Sequence, residues 1–459
     1  MSIAYVTGRK LFEKTTDILL KYINKDKEEN LLKLVDWAQN FMGDIFQEKY
    51  YDETRKLIKD KDNKWIKYME KMIEEIHPNV LKTHILNLGY EASLYGLKRI
   101  HKMREIHNCN VPWAILMDPT SACNLKCTGC WAAEYGHNLS LTFEEMDDII
   151  RQGKELGTHF FIFAGGEPLV RKDDIIKLCE KHNDCAFHAF TNGTLIDKKL
   201  CEDMQRVGNF SVAISIEGFQ KSNDSRRGEG TFCRVMESMD LLREHGLLYG
   251  TSICYTSKNY KDVTSDEFYD MLIEKGVRFS WYFHYMPIGN DASVELLPDK
   301  DQREYVMRRI RETRALEGGK PIFLIDFQND GPAVKGCIAG GKNYLHINAN
   351  GDVEPCVFIH YSTANIREVS LIEALKQPLF MAFRKNQPFN ENHLRPCPML
   401  ENPEFIELMV KETKAKSTDL KSPERVEDLV AKTKPYAEQW RDRAEELWNE
   451  INQKEKVTV

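Results

Sequence analysis

Between residues 113 and 283, short apolar runs alternate with longer polar segments of helical periodicity, and this pattern constrains the fold more than any other feature. The apolar runs are 114–117, 159–163, 186–190, 211–216, 250–254 and 279–283, and the helix-like segments are 143–156, 173–182, 198–207, 232–245 and 264–275. Strands that alternate with helices predict a parallel sheet with crossover helices. We therefore predict an α/β protein with a partial (β/α)6 TIM-like barrel, whose active site lies at the carboxyl ends of the strands.

The regions on either side of this barrel differ from it in composition and periodicity. Residues 1–108 are rich in Lys, Glu, Leu and Ile with apolar residues at three and four spacings, which predicts a helical N-terminal region. After residue 330 come glycine-rich and cysteine-containing loops, a polar linker over 411–425 and a helical stretch interrupted at Pro435. The predicted domains are thus 1–108 (helical), 109–330 (barrel core), 331–405 (cysteine-bearing extension) and 406–459 (linker and C-terminal helices).

Charge and hydropathy exclude some classes of function. The net charge of -7, from 64 basic and 71 acidic side chains, argues against a nucleic-acid partner, which usually needs a basic face. The sequence shows no secretory signal, and its apolar runs are too short to span a bilayer. We therefore expect a cytoplasmic protein with reduced cysteines. A basic, amphipathic stretch over 95–104 could contact a membrane surface peripherally, or it could be an ordinary solvated helix face.

Three of the twelve cysteines, Cys123, Cys127 and Cys130, lie within eight residues directly after the first predicted strand. Such a triplet suits one iron–sulfur cube better than zinc, which normally takes four protein ligands in a structural site. Three cysteines for four irons leave one iron free to bind a substrate or cofactor. A zinc site, or three structural thiols in a tight loop, are the alternatives.

The Cys-x3-Cys-x2-Cys spacing, its position after the first strand, and Gly165-Gly166-Glu167-Pro168 after the second strand together resemble the radical S-adenosylmethionine (SAM) superfamily. The resemblance implies that Cys123, Cys127 and Cys130 bind a [4Fe-4S] cluster whose free iron chelates SAM. It also implies reductive cleavage of SAM to a 5′-deoxyadenosyl radical, which abstracts hydrogen from an unactivated carbon, with reduced ferredoxin or flavodoxin as electron donor.

The same resemblance suggests which residues hold SAM. Gly165, Gly166 and Glu167 would receive its amino group, and Ser215 and Glu217 would grip the ribose, although the acid there is more often Asp in the family. Thr191 and Asn192 belong to a turn near the cofactor, Arg227 is a partner for the SAM carboxylate that Arg226 could replace, and Met286 would line the adenine side.

A second cysteine set follows the barrel. Cys337, thirteen residues, Gly351, four residues and Cys356 resemble the opening half of the auxiliary-cluster extension called SPASM, or twitch when short, and Cys397 is a natural third ligand. The resemblance implies an auxiliary [4Fe-4S] cluster one cysteine short of full thiolate ligation. Either Cys109, His360 or His393 completes it, or one iron is open. We expect the remaining five cysteines, 179, 185, 201, 233 and 254, to be buried small hydrophobes.

Four classes of function compete. The helical, partly basic arm before a barrel and an auxiliary cluster resembles lipid synthases that join unactivated alkyl termini, which favours a long-chain lipid substrate. Peptide maturation is the common activity of SPASM proteins, but no winged-helix leader-binding pattern is visible near the N-terminus. Oxidation of a small molecule or protein side chain is the third class. A non-catalytic iron–sulfur carrier is the fourth, and it would have no use for the SAM-binding residues.

Overall fold

The N-terminal region is helical, as predicted. The computed structural model describes residues 3–22, 27–42, 48–60 and 62–457. The helices are α1 (Ile3–Tyr22), α2 (Lys27–Met42), α3 (Glu48–Lys59), α4 (Lys64–Glu75), α5 (Pro78–His84), a π-helical segment (Ile85–Gly96) and α6 (Leu97–His107). The π-helical segment packs at the amino ends of the barrel strands, where the indole of Trp113 donates to the carbonyl of Ala92 (3.2 Å).

The six predicted strands are present in the predicted order, and a seventh parallel strand follows them in the barrel core. They are β1 (Ala114–Met117), β2 (Phe160–Phe163), β3 (Ala186–Thr191), β4 (Phe210–Ser215), β5 (Tyr249–Tyr255), β6 (Phe279–His284) and β7 (Phe323–Asp326). The helices that connect them are α7 (Phe143–Leu156), α8 (Lys172–Lys181), α9 (Lys198–Val207), α10 (Gln220–Arg227), α11 (Thr231–Glu244), α12 (Asp266–Lys275) and α13 (Lys300–Thr313). Within the described ranges the sheet stays open, which confirms a partial barrel.

A hairpin of the cysteine-bearing extension joins the barrel sheet. Strand β8 (Tyr344–Ile347) lies parallel to β1, with Ala114 opposite Tyr344, and β9 (Val353–Glu354) returns antiparallel to it. The sheet order is therefore β7-β6-β5-β4-β3-β2-β1-β8-β9. Because the barrel and the cysteine-bearing extension share one sheet, residues of the extension lie directly beside the loop that carries Cys123.

The C-terminal part differs from the sequence expectation in two places. Its elements are α14 (Gly331–Val334), β10 (Tyr361–Ser362), α15 (Leu371–Ala374), α16 (Pro378–Asn386), α17 (Pro403–Thr413), β11 (Lys416–Ser417) and α18 (Val426–Val457).

The predicted linker over 411–425 is not a free linker, because β11 pairs with β10 and Asp419 and Glu424 are buried. The predicted interruption at Pro435 is also wrong: α18 runs through it. A proline inside a helix costs about 3 kcal/mol. Burial of Trp440 and Leu447 on the same helix offsets that cost.

The basic stretch over 95–104 falls on the π-helical segment and α6. Arg99 donates to the carbonyl of Glu155, and Arg104 donates to the carbonyls of Val111 and Lys342, so both arginines hold the fold together. Lys98 and Lys102 are exposed. None of the helices in the described ranges has the length and apolarity that a bilayer crossing requires.

Candidate functional site

The loop after β1 carries the first cysteine triplet into a cavity of about 440 Å³ at the carboxyl ends of the strands. Cys123, Cys127 and Cys130 all line this cavity, and the three thiols interact electrostatically. Burial raises the pKa of Cys123 to about 11, so the free thiol holds its proton. Metal binding replaces such protons. Three thiols turned toward one cavity fit the predicted [4Fe-4S] cluster, which would take them as thiolates.

The glycines of the loop after β2 let it lie against the cysteine loop. The backbone N–H of Gly166 donates to the carbonyl of Thr120 (3.0 Å), and that of Glu167 donates to the carbonyl of Ala122 (2.8 Å). A Cβ at position 166 would lie 2.3 Å from the carbonyl oxygen of Ala122, closer than any side chain allows. Gly165 adopts a φ of +100°, which favours glycine. The two loops are thus fixed to each other through backbone contacts.

Glu167 connects these two loops to the turn after β3. One carboxylate oxygen accepts hydrogen bonds from the hydroxyl of Thr191 (2.6 Å) and the N–H of Leu169 (2.9 Å), and the other accepts from the N–H of Asn192 (2.7 Å). Burial raises the pKa of Glu167, against the hydrogen bonds, which lower it. The side chain of Asn192 donates to Asn124 beside Cys123 (2.8 Å). Glu167, Thr191 and Asn192 therefore surround one side of the cluster loop.

Glu217 is paired with both arginines that the sequence analysis considers. Its Oε1 lies 2.6 Å from Arg226 and 2.6 Å from Arg227, and its side chain is fully buried. Arg226 also donates to the carbonyl of Thr128 in the cysteine loop (3.2 Å). The other carboxylate oxygen, Oε2, is buried without a hydrogen-bond partner in the described part of the chain. Glu217 itself is not among the residues that line the cavity, whereas Arg226 and Arg227, which it holds, are.

Ser215, Met286 and Cys254 line the same cavity as the cysteine triplet. Two of the five remaining cysteines depart from the expectation that they are buried small hydrophobes. Cys233 is exposed, because it lies on the outer face of α11, and Cys254 is half-buried on the cavity wall. Cys254 was not predicted to be a site residue, because its strand carries no recognisable motif.

Most of the remaining cavity wall is aromatic and aliphatic, with Ser252, His284, Asp330 and Asn343 as polar exceptions, and the sequence did not reveal this wall. The lining extends from the cysteine loop to Trp113 and Asn343 at the amino ends of the strands, a depth of about 13 Å at 3.3 Å per residue of β1. Phe283 lies at its centre, with ring centroids 5.6 Å from Phe190, 5.1 Å from Phe327 and 6.1 Å from Phe358. Trp281 and Phe283 lie two residues apart on β6 and therefore share one face of the sheet, and this spacing was the sequence signal for an aromatic wall.

The second cysteine triplet also comes together. Cys337, Cys356 and Cys397 interact electrostatically with one another, and burial raises the pKa of each thiol. They belong to or pack against one hydrophobic core between the barrel and the C-terminal helices. Three thiols close enough to interact, one on a buried and two on partly buried residues, fit an auxiliary cluster in the same way as the first triplet does.

Comparison with known protein families agrees with this geometry. The model of the radical SAM superfamily matches residues 117–272, and that of SPASM, an iron–sulfur cluster-binding domain, matches residues 337–398. The chain is a radical SAM enzyme with a SPASM domain. The radical SAM domain binds a [4Fe-4S] cluster and SAM, and the SPASM domain binds auxiliary iron–sulfur clusters.

Individual relatives cover parts of this radical SAM enzyme. The Fe-coproporphyrin III synthase of Methanosarcina barkeri is 29% identical over 230 residues, 48% of this chain and 56% of that protein. The PqqA peptide cyclase of Gluconobacter oxydans is 26% identical over 292 residues, 60% of this chain and 79% of that protein. The crystal structure of Streptococcus suis SuiB bound to precursor peptide SuiA has a TM-score of 0.55 at 20% identity, over 72% of this chain and 79% of that chain.

Of the three predicted candidates for a fourth ligand of the SPASM cluster, His393 lies beside the triplet, with its ring 3.6 Å from the Cβ position of Gly336, the residue before Cys337. Cys109 interacts with Lys376, Arg384 and Arg104. The ring nitrogens of His360 are engaged by Asp419 (2.6 Å) and the carbonyl of Val357 (3.1 Å). The ring of His393 packs on Trp448 with centroids 5.5 Å apart, and its charged neighbours are Lys342 and Glu391.

A buried polar network joins the SPASM hairpin to the cysteine loop of the radical SAM domain. His346 on β8 lies 2.9 Å from Asp118, five residues before Cys123, and 2.6 Å from Glu354 on β9. Burial opposes the charge on His346, but the two carboxylates outweigh it and raise its pKa to about 10. The hydroxyl of Tyr135 donates to Glu354 (2.8 Å), and the ring of Trp131, next to Cys130, packs on His346. The hairpin therefore positions the cysteine loop.

Proposed function

We propose that this radical SAM enzyme abstracts hydrogen from an unactivated C–H of an apolar chain, and that its substrate is a long-chain lipid. The observation that carries the proposal is the aromatic and aliphatic cavity that extends from the cysteine loop along the inner face of the sheet. Its volume of about 440 Å³ falls within the range of ligand sites. An apolar segment would gain about 25 cal/mol for each Å² that it buries there, whereas a charged segment would lose hydration.

The polar groups that we assign to SAM lie around the cysteine loop, at one end of this cavity. We propose that Glu167, with Gly165 and Gly166, receives the amino group of SAM and that Ser215 and Glu217 hold the ribose. When bound, the cluster and SAM together supply the electron and the 5′-deoxyadenosyl radical. Asn192 and Thr191 keep Glu167 in place through the hydrogen bonds described above.

Arg226 and Arg227 hold Glu217, and we propose that Arg227 also meets the SAM carboxylate. Arg227 places one guanidinium nitrogen 4.0 Å from the Sγ of Cys127, at the edge of the cluster site. Met286 lines the cavity beside Tyr285, whose ring packs on Gly129 of the cysteine loop. We propose that this wall receives the adenine.

The aromatic wall has a second role in this proposal. A carbon-centred or adenosyl radical takes hydrogen from any weak S–H, O–H or C–H bond within reach, so the wall around the substrate chain should offer few such bonds. Phe190, Phe283, Phe327 and Phe358 pack in edge-to-face and tilted contacts around the space next to the cluster loop. Their aromatic C–H bonds are too strong for the radical to break, and their rings hold the substrate chain by apolar contact alone.

We propose that reduced ferredoxin or flavodoxin is the electron donor. We also propose that the protein is cytoplasmic and meets its lipid substrate at the membrane surface. The exposed Lys98 and Lys102 of the N-terminal region support a peripheral contact with anionic lipid. A salt-sensitive cosedimentation with anionic vesicles is the expected result, and its absence at low salt would remove the membrane contact.

A peptide is the second candidate substrate. It is favoured by the likeness to the PqqA peptide cyclase, which extends over 79% of that relative. In that case a single apolar side chain of the peptide would enter the aromatic cavity. The likeness to the Fe-coproporphyrin III synthase is of similar strength, so sequence similarity alone does not decide the substrate.

Deuterium transfer decides between these candidates. The anaerobic enzyme is incubated with SAM, dithionite and either chain-perdeuterated phospholipid vesicles or a deuterated peptide pool, and 5′-deoxyadenosine is examined by mass spectrometry. We expect deuterium from the lipid chains. Deuterium from the peptides alone would replace the lipid proposal with peptide modification.

A matched pair of variants tests the cavity itself. Ile325 on β7 lines it and is half-buried. Ile325→Asp should abolish deuterium transfer while dithionite-driven cleavage of SAM continues, because the charge lies away from the cysteine loop. Ile325→Val, which removes one methyl group, should retain both activities. Normal transfer in the aspartate variant would show that the substrate does not enter the cavity.

A further inference from the structure

The three cysteines of the SPASM cluster have a close neighbour that the sequence analysis did not consider. The phenol oxygen of Tyr344 lies 2.6 Å from the Sγ of Cys356 and also interacts electrostatically with the thiols of Cys337 and Cys397. We infer that Tyr344 is the fourth ligand of the auxiliary cluster and binds its remaining iron through the phenol oxygen.

The placement of Tyr344 is fixed by the backbone. It is the first residue of β8, opposite Ala114 in the parallel pair with β1, and its N–H donates to the carbonyl of Ile338 (3.2 Å). Its side chain is buried, and the ring meets Phe327 edge to face with centroids 6.2 Å apart. Because both the backbone and the ring of Tyr344 are held, its hydroxyl has a fixed position.

Three other donors lie near the triplet: Glu401, Gln387 and His393, whose ring packs on Trp448 and lies 3.6 Å from the Cβ position of Gly336. The carboxylate of Glu401 lies 2.6 Å from the guanidinium of Arg303, with both side chains fully buried, and it accepts from the N–H of Cys397 (2.7 Å). The side-chain amide of Gln387 donates to the carbonyls of Cys337 and Ala339. The hydroxyl of Tyr344, in contrast, points at the thiols themselves.

The chemistry of the step balances without an electron donor. The phenol O–H bond breaks, an Fe–O bond forms, and the proton passes to solvent, as protons of cysteine ligands do on metal binding. Tyrosinate is an established ligand of protein iron. Three thiolates and one phenolate then satisfy all four irons, which completes the ligand count that the sequence left one short.

The ligation has a consequence for the site, because Tyr344 also lines the cavity. A phenolate held there would occupy the coordination position that three cysteines leave free, so a bound auxiliary cluster would not take the substrate as a ligand.

Resonance Raman spectroscopy of the full-length protein with both clusters tests this ligation directly. The protein is made with unlabelled or ring-deuterated tyrosine and excited in the visible absorption of the clusters. We expect tyrosinate ring modes that shift with the label, since the first cluster has only cysteine ligands from the protein. Spectra that contain iron–sulfur modes alone would overturn the inference, whatever the substrate of the enzyme proves to be.

Mild oxidation provides a second test. With excess SAM to cover the open iron of the first cluster, ferricyanide is added and the three-iron cluster is measured by electron paramagnetic resonance. Tyr344→Phe should yield several times more of it than the unchanged protein, whereas Tyr361→Phe, another buried tyrosine whose hydroxyl donates to the carbonyl of Glu424, should not. An unchanged yield in Tyr344→Phe, or an increase in Glu401→Gln instead, would contradict the role of Tyr344.

Discussion

The close approach of the two cofactor loops can be tested at one position, Gly166. A Cβ added there would lie 2.3 Å from the carbonyl oxygen of Ala122 and 2.5 Å from that of Ser121, whereas ordinary contact begins at 3.4 Å. The cysteine loop would therefore have to move by the difference between 3.4 and 2.3 Å, about 1.1 Å. A misplacement of about 1 Å at a reacting centre costs roughly 100-fold in rate, or about 2.7 kcal/mol in the barrier.

The assay is the initial rate of 5′-deoxyadenosine formation by anaerobically reconstituted Gly166→Ala with SAM and excess dithionite, normalised to iron. Gly89→Ala is the matched control, because its Cβ would meet the ring of Phe12 at 3.5 Å, an ordinary contact. We expect the rate of Gly166→Ala to fall by about two orders of magnitude and that of Gly89→Ala to be unchanged. A Gly166→Ala rate of the same order as that of the unchanged protein, at equal iron content, would refute the reasoning.

Three further predictions concern the clusters and the C-terminal helix. Cys127→Ala should lower iron from about eight to about four per chain and abolish SAM cleavage; cleavage that persists would exclude the first triplet as the SAM cluster. Cys356→Ala should also lower iron to about four but retain dithionite-driven cleavage, and a full iron content would argue against the auxiliary site.

The third of these predictions concerns Glu304. Its hydrogen bond from Arg443 on α18 is the main cause that lowers its pKa from 4.5 to about 2, against partial burial. The resulting stability is present above pH 4.5 and is lost as the pH falls toward 2. After allowance for screening, Glu304→Gln should reduce the free energy of unfolding by about 1–2 kcal/mol at pH 7 and by less at pH 3, as measured by urea denaturation. An equal loss at both pH values would contradict this account.

Local features of the sequence were sufficient to locate many elements. Helix α7 begins and ends where predicted, because Thr142 and Glu145 form a capping box and Gly157 ends it in a left-handed conformation. Helix α9 likewise agrees, with Asp197 as its N-cap and Gly208 after its last residue. Such signals act over a few residues, so they can be detected in one sequence.

Pairings between distant residues could not be predicted in the same way. Nothing near Tyr344 indicates that β8 lies beside β1, more than two hundred residues earlier. The pairing of His346 with Asp118 follows from that register and was therefore missed. The aromatic cavity was missed for a related reason: the barrel strands are buried on both faces, so inward and outward residues look alike in the sequence.

The sequence by itself determined the chemistry of this protein, because the SAM cluster needs three cysteines at short, fixed spacings in one loop, and a strand–helix alternation specifies the barrel that presents them. The tertiary structure decided what surrounds that chemistry. The wall of Phe283 and its neighbours, the contact of Tyr344 with Cys356, and the ion pair of His346 with Asp118 join residues from separate elements. Their proximity depends on how the sheet is assembled, and the substrate of a radical SAM enzyme depends on that surrounding surface.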